Sequence, residues 1–296
     1  KNQNPAYLVQ EYLHENWHPL WFSQVAEELS AAKLSYVGSA TLPENYLPNL
    51  LSPQLAEIVR SGEGQTMQQE LIDLAINQSF RRDLYCRGPR AMRNSMTQLA
   101  QYTLHALRVP EEGSMQVVTT FGALTISAEV VAAVFGALAM GPQRIADLAA
   151  LSVFGDKPLH EPIQVATLLL QAGYVSLGAA QRPLDGIAAF NGAVARRVIE
   201  DFAPYGCLVA RATPTAVTVG DVDMVLYRIV TSDRFSDDPY KIGTALLDDL
   251  LASGRTLLRD GKALEIPEER YDQAVQIAGE FLKTTLPVWR KLGVVG

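Results

Sequence analysis

The chain has 296 residues, of which 48% are hydrophobic and 19% charged, with a formal net charge of −7; that length and apolar content can fill two domains and exclude wholesale disorder. Residues 1–120 hold 9 Lys and Arg against 12 Asp and Glu, and residues 121–296 hold 16 against 20. Both halves are therefore acidic, without the basic block that nucleic-acid binders use. Two cysteines, Cys86 and Cys207, are too few for a disulfide framework and fit a cytoplasmic setting. The longest apolar run, Val130 to Met140, is about half of the roughly 20 residues a bilayer helix needs, so no membrane span is expected. The opening Lys1-Asn2-Gln3-Asn4-Pro5 has neither an initiator Met nor an apolar leader, as expected of a chain trimmed, processed or cut from something longer.

Residues 5–16 and 22–33 carry apolar positions at helical spacing, with Tyr7, Leu8 and Tyr12 in the first and Phe22, Val25 and Leu29 in the second. Trp17-His18-Pro19 separates them, because Pro19 disfavours helix at His18. Ser52-Pro53 supplies an N-cap and first-turn pair for a short helix to Arg60. Thr66-x-x-Gln69 reads as a capping box opening a helix to about Asn77. Arg93 to Leu107 is a further amphipathic stretch, closed by Pro110 and Gly113, so the first 110 residues are expected to be helical.

The pattern changes at Met115. Met115–Thr120 and Leu124–Ile126 predict short strands, after which Ser127 caps an apolar helix over Ala128–Met140. Gly141-Pro142 breaks the chain and restarts it into Gln143–Leu151; a third helix over Pro162–Gln171 ends at Gly173, and Tyr174–Leu177 follows as a strand. With a Gly/Pro-rich tip from Gly178 to Gly186, this is the element order of a winged helix-turn-helix. Further helices are predicted over Gly192–Phe202, Asp221–Val230, a run to Leu251 capped by Asp238-Pro239, and Pro267–Thr284, with a strand over Ala216–Val219. The expected fold class is mainly α: a helical domain over residues 1–112, then a winged-helix-like α/β unit with a helical C-terminus over 113–296.

Three constellations carry possible chemistry. His14-Glu15-Asn16-Trp17-His18 matches the H-E-x-x-H zinc pattern, which needs both imidazoles on one helical turn and a third ligand downstream. Pro19 follows the second His directly, and the next His is His105, so helix capping and packing is the better account and no metal is expected. The winged-helix order suggests DNA binding, but no Lys or Arg lies between Lys157 and Arg182, a span that includes the whole third helix. Without phosphate contacts such a helix suits protein contact or packing instead. Phe80-Arg81-Arg82-Asp83-Leu84-Tyr85-Cys86-Arg87-Gly88-Pro89-Arg90, with Arg93 beyond, is a local cationic patch that could grip a carboxylate or phosphate. The competing account is a helical Asp83–Arg87 pair on a solvated face. Phe80, Arg81, Arg82, Asp83, Arg87 and Arg90, together with Trp17, are the candidate partner or substrate contacts. No residue has a spacing that suggests a catalytic or cofactor-binding role: Gly62-Glu63-Gly64 does not follow a strand, and no Walker loop, G-x-S-x-G or C-x-x-C occurs.

Longer segments extend the comparison to a family. Tyr7–Leu13, Trp17–Phe22, Ala31–Gly38 and Phe80–Leu84 with Gly88 resemble the methyltransferase regulatory domain family. Ala137–Pro142, Ile145–Leu148 and Trp289–Val294 look like the C-terminal region that accompanies it. In that family these segments follow an N-terminal Rossmann-like domain that binds S-adenosylmethionine, and some members resemble bacterial protein-lysine methyltransferases in which the later domains help hold the protein substrate. The resemblance thus implies a non-catalytic region that positions a protein substrate. Its cofactor, S-adenosylmethionine, would bind an upstream domain, and its partners would be that domain and the protein substrate, with a homodimer left open.

Overall fold

The computed structural model describes residues 5–13, 15, 18–90, 92–178, 186–259 and 261–296. Helix accounts for 53% and strand for 14% of the described residues, so the mainly helical expectation holds in its broad form. The chain divides into two compact units, Lys1–Arg93 with Val118–Ala123, and Asn94–Val117 with Leu124–Gly296. Among the described residues no helix is long and apolar enough to cross a membrane.

In the first unit, α1 (Pro5–Tyr12) buries no side chain. Then come α2 (Phe22–Ala31), β1 (Leu34–Ser39), a 3-10 turn over Leu42–Tyr46, α3 (Leu47–Leu50), α4 (Pro53–Ser61), α5 (Gly64–Ile76) and β2 (Asp83–Arg87). Ser52 caps α4 as expected, its hydroxyl accepting from the Leu55 N–H at 3.4 Å. Thr66 does not cap: α5 begins two residues earlier at Gly64, and left-handed Asn77 closes it. β1 and β2 pair antiparallel, with Leu34 opposite Arg87 and Ser39 opposite Asp83. This corrects the wholly helical expectation for the N-terminal third. The inward positions of the ribbon alternate, and Tyr36 and Tyr85 face each other with ring centroids 5.7 Å apart. A small core of Leu47, Val59 and Ile72 packs under α3, α4 and α5 and is covered by Phe121.

The second unit opens with α6 (Ser95–Leu99) and β3 (Thr103–Ala106), where a single amphipathic helix to Leu107 was expected. β3 leaves the helical pattern because it has strand partners far along the chain. A two-stranded sheet of β4 (Met115–Thr119) and β5 (Gly122–Ile126) follows, then α7 (Ala128–Met140), β6 (Gln143–Arg144), α8 (Ile145–Ala149), α9 (His160–Gln171) and β7 (Val175–Leu177). Ser127 caps α7 as its sequence predicts, accepting from the Val130 N–H. β3 is the middle strand of a three-stranded sheet, between β6 and β7, and its Leu104 is fully buried. The expected wing tip falls largely on residues 179–185, outside the described residues.

The rest is a helical assembly: α10 (Ile187–Asp201), a two-residue pairing of β8 (Cys207–Leu208) with β9 (Val217–Thr218), α11 (Asp221–Val230), α12 (Pro239–Ala252), a second short pairing of β10 (Leu258–Arg259) with β11 (Lys262–Ala263), and α13 (Pro267–Glu280). A π turn over Phe281–Thr285 leads into α14 (Leu286–Leu292). Its core centres on Trp289, whose ring meets Phe281 edge-on at 5.3 Å and Tyr227 at 6.2 Å. The π turn corrects a helix expected to run unbroken to Thr284, and Pro287 is its cause. Proline cannot donate to the carbonyl four residues back, and its ring crowds that carbonyl, so the Leu286 N–H bonds Phe281 O five residues back instead.

Two contacts set the packing of this assembly. Asn191, with no exposed surface, accepts from the Val209 N–H at 2.8 Å and donates to Val209 O at 2.9 Å and Val294 O at 3.5 Å. Gly243 lets α12 approach α13 so closely that a Cβ would lie 2.8 Å from the Val275 Cα. Asn191→Ala strands the Val209 N–H and C=O and is expected to cost about 1–3 kcal/mol. Gly243→Ala forces the two helices apart at a similar cost of about 1–3 kcal/mol. Urea unfolding midpoints read both.

Candidate functional site

The cationic segment after α5 is where sequence and geometry meet. Arg81 is 18% exposed and lies between α5 and β2. Its Nε and Nη2 donate to the two Asp83 carboxylate oxygens at 2.8 and 3.1 Å, its Nη1 donates to Asp73 Oδ1 at 2.5 Å, and Nη2 also reaches Gln69 Oε1 at 2.7 Å. The guanidinium stacks over Phe22 at 4.6 Å and lies 5.8 Å from the Tyr36 ring. Burial works against its charge, but the hydrogen bonds and charges of Asp83 and Asp73 outweigh that and stabilise the cation. On the partner side the balance differs: burial raises the Asp73 carboxyl above its ordinary range despite the Arg81 contact. Burial also pushes the Tyr36 hydroxyl up to about 12, against the pull of Arg81. Arg81 thus ties α2, α5, β1 and β2 together.

Asp83 and Arg87 do not pair as they would on a helix. In the strand β2 they lie four residues apart along an extended backbone, roughly 13 Å. Arg87 instead donates to Ala32 O at 3.2 Å, after α2. Arg82 reaches Thr41 Oγ1 at 3.2 Å, and Arg82, Arg87 and Arg90 are exposed. Phe80 is 74% exposed. The structure therefore splits the sequence-level patch into an internal knot, Arg81 with Asp83, and an outer surface of Phe80, Arg82, Arg87 and Arg90. The division follows from the partners each side chain reaches, Asp73 and Gln69 for Arg81 against Thr41 and Ala32 O for Arg82 and Arg87, and it was hidden while the segment was read as helix. Trp17 and His14 lie outside the described residues; Glu15 and His18 are exposed. Among the described residues no group of three or more His, Cys, Asp or Glu side chains could hold a metal ion.

Sequence reasoning missed a second feature, in the second unit. A cavity of about 390 Å³ opens between the last turn of α7, the end of β3, and the π turn with α14. Phe135, Leu138, Val288 and Leu292 line it, and the cations Arg108, Lys283 and Lys291 also belong to its lining. His105, in β3, is part of the same wall, and burial holds its imidazole below the ordinary histidine pKa. Nothing local signalled this site, because its residues come from three separate segments, 105–109, 135–142 and 283–292.

Residues 4–87 match the family described as a predicted methyltransferase regulatory domain. A curated relative, the uncharacterized protein sll1526 of Synechocystis sp., is 26% identical over 305 residues, covering 99% of this chain and 58% of its own length. Among solved structures, PKMT2 from Rickettsia typhi in complex with AdoHcy superposes with a TM-score of 0.53 at 15% identity, over 95% of this chain and 60% of that one. A second structure of PKMT2 from Rickettsia typhi gives 0.52 at 14% identity, over 95% and 61%. The likeness is one of fold, and this chain spans well under two thirds of the length of each relative.

Arg81→Met leaves two carboxylates without their counter-charge and is expected to destabilise the protein by about 3–5 kcal/mol, whereas Arg90→Ala should stay within about 0.5 kcal/mol. Chemical denaturation of the two variants separates the internal knot from the outer surface. His105 is harder to protonate folded than unfolded, so its contribution is full above about pH 6.5, the unfolded value, and is lost as pH falls through the lower folded value. Unfolding midpoints of His105→Gln should accordingly fall less than those of the parent between about pH 7 and pH 5.

Proposed function

Taking residues 4–87 as a regulatory-domain match, we propose that this chain is the non-catalytic, substrate-positioning region of an S-adenosylmethionine-dependent methyltransferase acting on protein lysine. That match is the observation that carries the proposal. The donor, S-adenosylmethionine, binds a Rossmann-like domain upstream of Lys1 rather than this chain, and that domain and the protein substrate are the partners. The fold neighbour, PKMT2 from Rickettsia typhi in complex with AdoHcy, supports the same assignment, since AdoHcy is what the donor becomes once its methyl group is transferred.

A contact surface for such a partner is available on α1. Tyr7, Leu8, Val9 and Tyr12 are exposed there, although they are apolar or aromatic, and exposed apolar clusters of this kind mark interaction sites. In the second unit, the order α7, β6, α8, α9 and β7 supports a winged-helix-like scaffold within residues 113–296. The inward face of α9 is Pro162, Ile163, Ala166, Thr167 and Leu169, and the helix carries no Lys or Arg, which favours packing and protein contact over nucleic acid. Exposed free thiols at Cys86 and Cys207 agree with a cytoplasmic setting. The acidic chain would attract a basic, lysine-bearing substrate modestly, and salt would weaken that attraction.

The test uses the parent methyltransferase. Deleting the present region is expected to abolish methylation of the protein substrate while S-adenosylmethionine binding by the upstream domain persists. Leu8→Glu with Val9→Glu should reduce methyl transfer without lowering the melting temperature, because both side chains are exposed. Unchanged protein methylation after deletion would rule the positioning role out.

A further inference from the structure

We propose that the cavity between α7, β3 and α14 binds a carboxylate carried on an apolar body. Its volume of about 390 Å³ falls within the range of single small-ligand sites. The apolar wall is formed by Phe135, Leu138 and Val288, and no Asp or Glu belongs to the lining. In a chain of net charge −7, three permanent cations around one cavity with no carboxylate among them are a local inversion of sign.

The three cations are committed to different degrees. Arg108 donates to Gly173 O at 3.0 Å and Ala172 O at 2.9 Å, and it stacks 4.5 Å from the Tyr174 ring. Lys291 donates one hydrogen bond, to Ala139 O at 2.9 Å, which leaves two of its three N–H donors. Lys283 is exposed, and its side chain makes no hydrogen bond or ion pair with the described residues. Lys283 and Lys291 lie on the strip formed by the π turn and α14, with Pro287 and Val288 between them. Two lysines in the lining of an apolar cavity complement an anion on a hydrophobic stem: the stem gains burial, and the head gains charge-assisted hydrogen bonds. A neutral alcohol gains only the first, and inorganic phosphate only the second.

The same chemistry has two sources, a free amphipathic acid or the C-terminal carboxylate of a peptide ending in an apolar residue. Calorimetry on the 296-residue chain, with octanoate in one arm and a short peptide ending in free Leu-Phe in the other, separates them. Saturable binding is expected in at least one arm. It should weaken about tenfold for octanol or the amidated peptide, about tenfold for Lys283→Gln, and further as salt is raised. Ala139→Phe, which projects a ring into the cavity from the exposed last turn of α7, should abolish binding without changing the melting temperature. Tighter binding of octanoate assigns a free acid, and tighter binding of the peptide assigns a protein terminus. The proposal is overturned by no saturable binding in either arm, by equal binding of the neutral analogues, or by full affinity in both Lys283→Gln and Ala139→Phe.

Discussion

A half-buried cation must find acceptors for its donors, and in this protein that requirement organises the packing. Arg81 meets it with Asp73, Asp83 and Gln69, and so fixes a two-stranded ribbon against two helices. Elsewhere the acceptors are carbonyls at the ends of helices, the backbone groups that helix geometry leaves unpaired. Arg255 donates to Ile199 O near the end of α10, Arg108 to the carbonyls after α9, and Lys291 to the last turn of α7. A cation at a helix C-terminus also complements the helix dipole. The result is an acidic protein in which several basic side chains serve as fasteners between elements.

Against that background an uncommitted cation is informative. Lys283 sits on the turn that Pro287 forces out of α-helical geometry, beside an apolar hollow. The proline at once sets the local path of the chain and removes the N–H that the Lys283 carbonyl would otherwise receive. A wide turn of this kind is a common place for helices to acquire function.

Much of the fold was legible where the signal is local. Ser127 before an apolar run, Ser52-Pro53 and Asp238-Pro239 each announce a helix start through capping chemistry confined to a few residues, and all three caps are made. α11 coincides with its predicted limits. What failed depends on partners far away. β1 and β2 are separated by more than 40 residues, which hold α3, α4 and α5, and the short Asp83–Arg87 strand has too few apolar positions to reveal a period of two. β3 lost its identity for the same reason, since Leu104 is apolar on either periodicity and only β6 and β7 decide between them. The candidate site was readable as a list of residue types and not as an arrangement. Arg81 looked like a surface hand because its stacking partner Phe22 and its acceptor Gln69 are remote in sequence.

The discontinuity of the first unit bears on how such a module can be inherited or transplanted. The family match ends at residue 87, yet the small core of Leu47, Val59 and Ile72 is roofed by Phe121, and Thr120 donates to Glu44 Oε1 at 3.0 Å. A piece excised at the family boundary leaves its own lid behind on the next stretch of chain. Recombination between relatives that respects only the contiguous segment would join a core from one lineage to a roof from another. The smallest transplantable block is therefore larger than the segment the family matches, and it includes a hairpin tip that by sequence order belongs to its neighbour.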